Sequence, residues 1–274
     1  MMKKYAVFIL LTWLAFSFAG ISQSPVKDTL FNQTDANGLK QGYWKKYYPT
    51  GKLMYKAFFK DNKPAGIMHR YFNNGNLQAI MNFDKTGEHA RAKLYFDNGK
   101  IAAEGNYINS KKDSIWKYYS YYTHTVVAVE NYDKGIREGP SKRFYDNGNI
   151  SEEQEWQNDK KNGEWKQYFP SGKIQSTGTY KDDMLNGEYK VFYESGQLKA
   201  VGNYDNNMMN GKWVYYDEKG NVQVQLSYIN GKAADAKKLT ADEQKFFEMI
   251  EQNKGKFSDP TPADVLPGER RNNY

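Results

Sequence analysis

The chain has 274 residues, a formal net charge of +7, 39% hydrophobic content and no cysteine. Without thiols, disulfide staples, thiol catalysis and cysteine-held metal are excluded. Aromatic content is 16%, with 23 tyrosines, which suits a half-wet sheet in which the ring packs and the hydroxyl meets water.

In chain order, residues 1–22 read as a secretory signal. Lys3 and Lys4 precede an apolar run from Tyr5 to Ala19 and a small-x-small site at Ser17-Phe18-Ala19. The run is shorter than the ~20 residues a spanning helix needs, so cleavage is expected rather than anchoring. No cysteine follows to carry a lipid. The mature chain is expected to be exported, as a periplasmic, outer-membrane-associated or secreted protein. Residues 23–41 form a linker and a degenerate leading unit that contains Asn37-Gly38.

Residues 42–231 hold eight copies of a 24-residue pattern, opening at Gly42, Gly66, Ala90, Ser114, Gly139, Gly163, Gly187 and Gly211. Two places after the opener stand Trp44, Trp116, Trp165, Tyr189 and Trp213. Nine places after it comes a glycine in every copy but the fourth, which has Thr123. Each unit closes on an aromatic, from Phe59 to Tyr228. Turns such as Tyr48-Pro49-Thr50-Gly51 and Phe169-Pro170-Ser171-Gly172 predict a type I turn closed by a left-handed glycine, so each copy is a β-hairpin. Short polar turns join consecutive hairpins, which predicts an all-β fold: an elongated, twisted, single-layer antiparallel sheet. Sixteen strands at ~4.8 Å would make a ribbon on the order of 75 Å long. Residues 232–254 should cap the last hairpin with a short helix, opened by a capping box at Thr240 to Glu243 and carrying Phe246 and Ile250 on one face. The tail 255–274, with Pro260, Pro262 and Pro267, is expected to be disordered.

Segments such as Gly163-Glu164-Trp165-Lys166-Gln167-Tyr168-Phe169-Pro170-Ser171-Gly172-Lys173-Ile174 resemble MORN repeats, and more closely the bacterial variant labelled an antitoxin-type repeat. The resemblance covers residues 37 to 231. It implies tandem hairpins in a single-layer sheet, and roles in membrane-proximal scaffolding, protein–protein contact or toxin neutralisation. Two copies depart from the pattern. The third has Ala90 and Ala92 in place of glycine and tryptophan; the fourth has Thr123 and one extra residue before Tyr132. The departures predict a bulge or bend near residues 114 to 132.

Catalytic signatures are absent from the sequence. His69, His89 and His124 have no metal-ligand spacing, and no nucleophile elbow, phosphate-cradling loop or His-Glu-x-x-His occurs. Asp84-Lys85-Thr86-Gly87 lies in a connecting loop, and Glu152, Glu153 and Glu155 read as a solvated face. A non-enzymatic protein without cofactor or metal is therefore expected. Its most coherent feature is a basic column three places after the openers: Lys45, Lys93, Lys117, Lys142, Lys166 and Lys190, with His69 in the second copy. Stacked roughly 9–10 Å apart, these side chains either form a track for an anionic partner or keep a sheet face soluble. Met184, Leu185, Met208 and Met209 interrupt polar connecting loops, as a protein contact or tucked under the next hairpin. The expected partner is a protein or an anionic envelope component, lipid headgroup or polysaccharide, with nucleic acid disfavoured by export and the oligomeric state left open. The alternative is an antitoxin or immunity protein.

Overall fold

The computed structural model describes residues 30–234 and 240–253, so the expected signal segment and the tail beyond 255 lie outside the described residues. A short strand β1 (Gln33–Thr34) leads into the first hairpin, β2 (Lys40–Tyr47) and β3 (Leu53–Lys60). The second is β4 (Lys63–Tyr71) and β5 (Leu77–Phe83); the third, β6 (His89–Tyr95) and β7 (Ile101–Ile108). The fourth is β8 (Lys111–Tyr119) and β9 (Val126–Asp133). In the fifth, β10 (Ile136–Arg137) and β11 (Gly139–Phe144) both lie along β9, and β11 pairs onward with β12 (Ile150–Gln157). The sixth is β13 (Lys160–Tyr168) and β14 (Ile174–Lys181). In the seventh, β15 (Met184–Leu185) and β16 (Gly187–Phe192) precede β17 (Leu198–Asp205). The eighth is β18 (Met208–Tyr216) and β19 (Val222–Ile229), followed by β20 (Lys232–Ala233). All strand pairings are antiparallel and follow chain order, with β10 and β11 both on β9 and β15 and β16 both on β14, giving one open sheet of 20 strands.

Two kinds of turn line the two long edges, and both bond forward to the next repeat. On one edge the glycine turns close as expected: in the first, Gly51 takes φ +81° and its N–H reaches the Tyr48 carbonyl at 2.9 Å. On the other edge the hairpins are joined by two-residue turns with both residues left-handed, such as Asp61-Asn62, Asn158-Asp159 and Asn206-Asn207. Asn and Asp tolerate that conformation better than other side chains, which explains their recurrence there. Their side chains add a ladder: Asn62 Oδ1 accepts from Lys40 N at 2.8 Å, and Asp183 Oδ1 from Lys161 N at 2.7 Å. The backbone returns the contact, with Asn62 N donating to the Lys40 carbonyl.

The irregular copies are accommodated without a break. In most repeats the closing aromatic pairs with the residue five places on, as Phe59 does with Pro64, and the next strand then bulges at its opener. There Gly66 to Met68 lie opposite the single Ala57. Phe83 instead pairs with Ala90, seven places on, through the connection Asp84–Glu88, and the register runs on without a bulge. Ala90 can replace glycine because no left-handed residue is required at that opener. In the fourth copy the extra residue enlarges the turn rather than bending the sheet: Tyr119 pairs with Val126, where Tyr47 pairs with Leu53. His124, not Thr123, takes the left-handed place, at φ 61°. The expected bend is thus a longer loop at one edge.

Alternation sends every second side chain to one face, here termed inner, which carries all the most buried residues. Two apolar clusters form on it. One gathers Ala92, Ala103, Trp116 and Tyr118; the other Ala200, Met209, Trp213, Tyr215, Val224, Leu226 and Tyr228. Between them the face turns polar, with buried Glu152, Gln154 and Ser176. The helix α1 (Ala241–Asn253) lays Phe246 edge-on to Tyr215, ring centroids 5.7 Å apart, and packs Phe247 on the same cluster. The side chains of Glu243 and Ile250 lie outside the described residues.

Candidate functional site

The lysine column lies on the outer face as a single row across the sheet. Cross-strand pairs connect it: Lys45 with Lys56, Lys56 with His69, Lys93 with Glu104, Lys117 with Val129, Lys142 with Glu153, Lys166 with Thr177 and Lys190 with Val201. Its two halves differ electrostatically. In the later repeats carboxylates hold the lysines: Lys142 reaches Glu153 at 2.8 Å, Lys166 reaches Glu164 at 3.1 Å, and Lys190 meets Glu188. The Lys142 ammonium and the Tyr168 hydroxyl, both bonded to Glu153, hold its carboxyl below the usual range. In the earlier repeats Lys93 and Lys117 have no ion-pair partner among the described residues, and Lys45 sits 3.7 Å over the Phe31 ring. Burial, and then the Lys56 charge, lower the His69 imidazole, so that position is neutral at neutral pH.

The apolar pairs prove to be strand residues rather than loop residues. Met184 and Leu185 form β15 and pair with Lys181 and Tyr180, while Met208 and Met209 open β18 opposite Asp205 and Tyr204. Met209 is 7% exposed and belongs to the inner core, so it offers no contact surface. Leu185 is half-buried; Met184 and Met208 remain exposed.

Size matching across strands builds the inner face. Trp116 and Trp213 lie flat on Gly105 and Gly202, so closely that a Cβ on either glycine would enter the indole. Each indole N–H then donates to the carbonyl beyond its glycine, Trp116 to Asn106 at 2.9 Å and Trp213 to Asn203 at 3.1 Å. At Trp165 the counterpart is Gln154, whose amide takes the Glu155 carbonyl at 2.6 Å and leaves the Trp165 N–H and its own Oε1 buried without partners.

That matching lapses at the third repeat, and a trough opens. Ala92 stands where tryptophan recurs, and the surrounding floor is Ala79, Met81, Leu94 and Ala103. Phe83, Tyr107 and Tyr118 rise beside it, and the concavity measures about 590 Å³. Cations stand on the two outermost strands, and Glu88, paired with Lys63 at 3.0 Å, adds one carboxylate to the lining. Arg70 on β4 is exposed and has no partner among the described residues. Lys112 on β8 donates to the Tyr118 hydroxyl at 2.8 Å and lies 5.1–5.2 Å from the rings of Trp116, Tyr118 and Tyr132. Burial, and then the Glu130 charge, push both tyrosine hydroxyls far above the ordinary phenol range. Sequence alone marked Ala92 as an exception but gave no sign that its neighbours across the strands were also small.

Among the described residues, no group of three His, Asp or Glu side chains is placed to share a metal ion. His69 lies in the outer row, His89 at the start of β6 and His124 in a turn.

A family model described as a MORN repeat variant matches residues 40–61, 88–109, 137–158, 161–182, 185–206 and 209–230. Those segments start two residues before the openers and leave out the second and fourth copies. No curated protein matches the chain. Among solved structures, TarM is similar at 18% identity and a TM-score of 0.26, covering 37% of this chain and 20% of that one. The Photorhabdus luminescens Tc holotoxin pore is similar at 11% identity and a TM-score of 0.19, covering 71% of this chain and 12% of that one. Similarities at that level carry no argument about function, and this chain spans a fifth or less of either. The repeat matches, the hairpin order and the shared register agree, and the chain is a MORN-repeat protein.

Proposed function

We propose that this protein is a non-enzymatic, exported scaffold that binds a protein partner in the trough of its third repeat. The observation that supports the reading is the local loss of ring packing at Ala92, where an alanine floor lies between two cationic ends. Elsewhere on the inner face the recurrent rings are filled in by the fold itself. The trough crosses from β4 to β8, four strand spacings or ~19 Å. An extended, apolar partner segment flanked by acidic side chains matches both its floor and the charges of Arg70 and Lys112. Export is motivated by Lys3, Lys4 and the apolar run that follows them.

Crosslinked pull-downs from envelope fractions test the proposal, comparing the native chain with Arg70→Glu and Ala103→Trp. Arg70 is exposed, so its reversal leaves folding intact while removing one cationic end. A partner captured by the native chain and lost from both variants is the expected result. Equal capture by all three would sink the trough as the binding site. Recovery of a single co-encoded toxin would shift the reading to neutralisation, and accumulation of the chain in the cytoplasm would refute export.

A further inference from the structure

A second concavity, of about 430 Å³, opens at the same irregular repeat beside the trough, with which it shares Phe83 and Tyr107, and its polar lining comes from the outer face. It arises because the third opener does not bulge. The outer-facing residues of four strands therefore stand abreast: Asn82 on β5 pairs with Arg91 on β6, Arg91 with Asn106 on β7, and Asn106 with Asp113 on β8. The row is ~14 Å long at three strand spacings.

Its hydrogen-bonding capacity is unspent. The side chains of Asn82, Arg91 and Asn106 have no partner among the described residues, although the later counterpart Asn131 donates to the Pro140 carbonyl at 2.6 Å. The two carboxylates at the margins are held in place. Asp84 accepts from the Thr86 and Gly87 N–H groups at 3.0 and 2.9 Å, and from the Thr86 hydroxyl at 2.8 Å. Asp113 accepts from the Ser114 hydroxyl at 2.7 Å and from Lys134 N at 3.3 Å. A guanidinium flanked by two carboxamides, with a fixed carboxylate at each margin, asks for a particular ligand. Arg91 presents a fork that matches one carboxylate. Asp84 and Asp113 repel a dense polyanion but accept from neutral hydroxyls, and the carboxamides both donate and accept.

We infer that this depression binds an acidic saccharide of the uronic-acid type, its carboxylate on Arg91 and its ring hydroxyls on Asn82, Asn106 and Asp113. One charge per ring among several hydroxyls is the ligand chemistry that uses every group in the row. Polyphosphate or sulfate uses Arg91 alone and meets the two carboxylates unfavourably.

Titration of the full-length chain with trigalacturonate tests the site, read by calorimetry and by the side-chain amide signals of Asn82 and Asn106. The fully methyl-esterified trisaccharide and inorganic sulfate serve as comparison probes. The native chain should bind trigalacturonate, shift both amide signals, and bind the ester at least about tenfold more weakly, since a hydrogen bond to a charged group carries ~1.5–3 kcal/mol. Arg91→Gln should weaken trigalacturonate binding about tenfold or more. Arg91→Lys should lose several-fold despite its retained charge. Lys212→Gln, exposed on the same face at β18 and outside both the row and the lysine column, should bind as the native chain does. Absence of binding, equal binding by Arg91→Gln, or competition by sulfate at equal concentration would each overturn the assignment.

Discussion

Replacing Gly202 with alanine should be among the most damaging single-methyl additions on the inner face. A Cβ there would enter the indole of Trp213, which is 3% exposed and cannot withdraw to solvent. Trp213 must tilt away, breaking its 3.1 Å bond to the Asn203 carbonyl and the edge-on contact with Tyr204 at 5.3 Å. Overpacking costs about 1–3 kcal/mol, and a buried donor left unpaired about 1–3 kcal/mol more. The lower chain entropy of alanine returns about 0.5–1 kcal/mol, leaving a net loss of ~1–5.5 kcal/mol. Gly178 is the internal comparison, because its added Cβ would meet Tyr189 Cδ2 at 3.0 Å and Leu185 Cδ2 at 3.3 Å, contacts relieved by shifts of a few tenths of an ångström rather than by displacing a ring. Gly178→Ala should therefore change stability by less than ~1 kcal/mol. Urea unfolding followed by tryptophan fluorescence separates the two, because Trp213 reports its own surroundings. Pairing Gly202→Ala with Trp213→Leu should restore part of the loss. Native or better stability for Gly202→Ala alone would refute the size-matching account.

Three further predictions concern the edges and the outer face. Asn62→Ala should cost about 1–3 kcal/mol by unfolding, because it places alanine at φ 66° and leaves Lys40 N without its side-chain acceptor; Asn62→Gly should cost less, and equal losses would remove the left-handed backbone from the explanation. The lowered carboxyl of Glu153 contributes stability above its unfolded value near pH 4.3, and that contribution fades as pH falls through its folded value; the stability gap between the native chain and Glu153→Gln should accordingly narrow between pH 6 and pH 3, and a constant gap would contradict the assignment. On anionic vesicles, reversing Lys45, Lys93 and Lys117 to glutamate should abolish more salt-sensitive binding than reversing Lys142, Lys166 and Lys190, whose charges are already held by Glu153, Glu164 and Glu188; equal losses would show that this pairing is immaterial.

Much of the architecture was readable from spacing alone. A glycine nine places after the opener demanded a left-handed turn, and the tryptophans and closing aromatics share the inner face, whereas Tyr119 and Tyr168, five places after their openers, reach outer-row Glu104 and Glu153 at 2.7 and 2.6 Å. What spacing could not show was how a seven-residue step between Phe83 and Ala90 would close, since loop and bulge absorb residues equally well. The polar setting of Met184 and Leu185 suggested a loop, yet paired left-handed aspartates at Asp182-Asp183 make so tight a turn that the strand resumes at once. Gly105 and Gly202 carried no turn signal, because their role depends on a ring one strand away. The lysine column was legible as a row, whereas the acids that hold half of it come from offsets that vary between copies. The trough likewise depends on small residues from three strands meeting by register, which no single repeat displays.

The ladders on the two long edges have a consequence for how the chain could assemble and diversify. Bonds such as Lys40 to Asn62 and Tyr48 to Tyr71 span 22 and 23 residues, and the side-chain links between repeats stay within about one unit of sequence. Low contact order of this kind lets a sheet grow strand by strand from any nucleus, without waiting for distant segments to meet. It also makes the 24-residue unit an interchangeable module. A whole copy can be inserted or excised with the bonding pattern on either side restored by its new neighbour, so array length and the position of the irregular third copy can change separately.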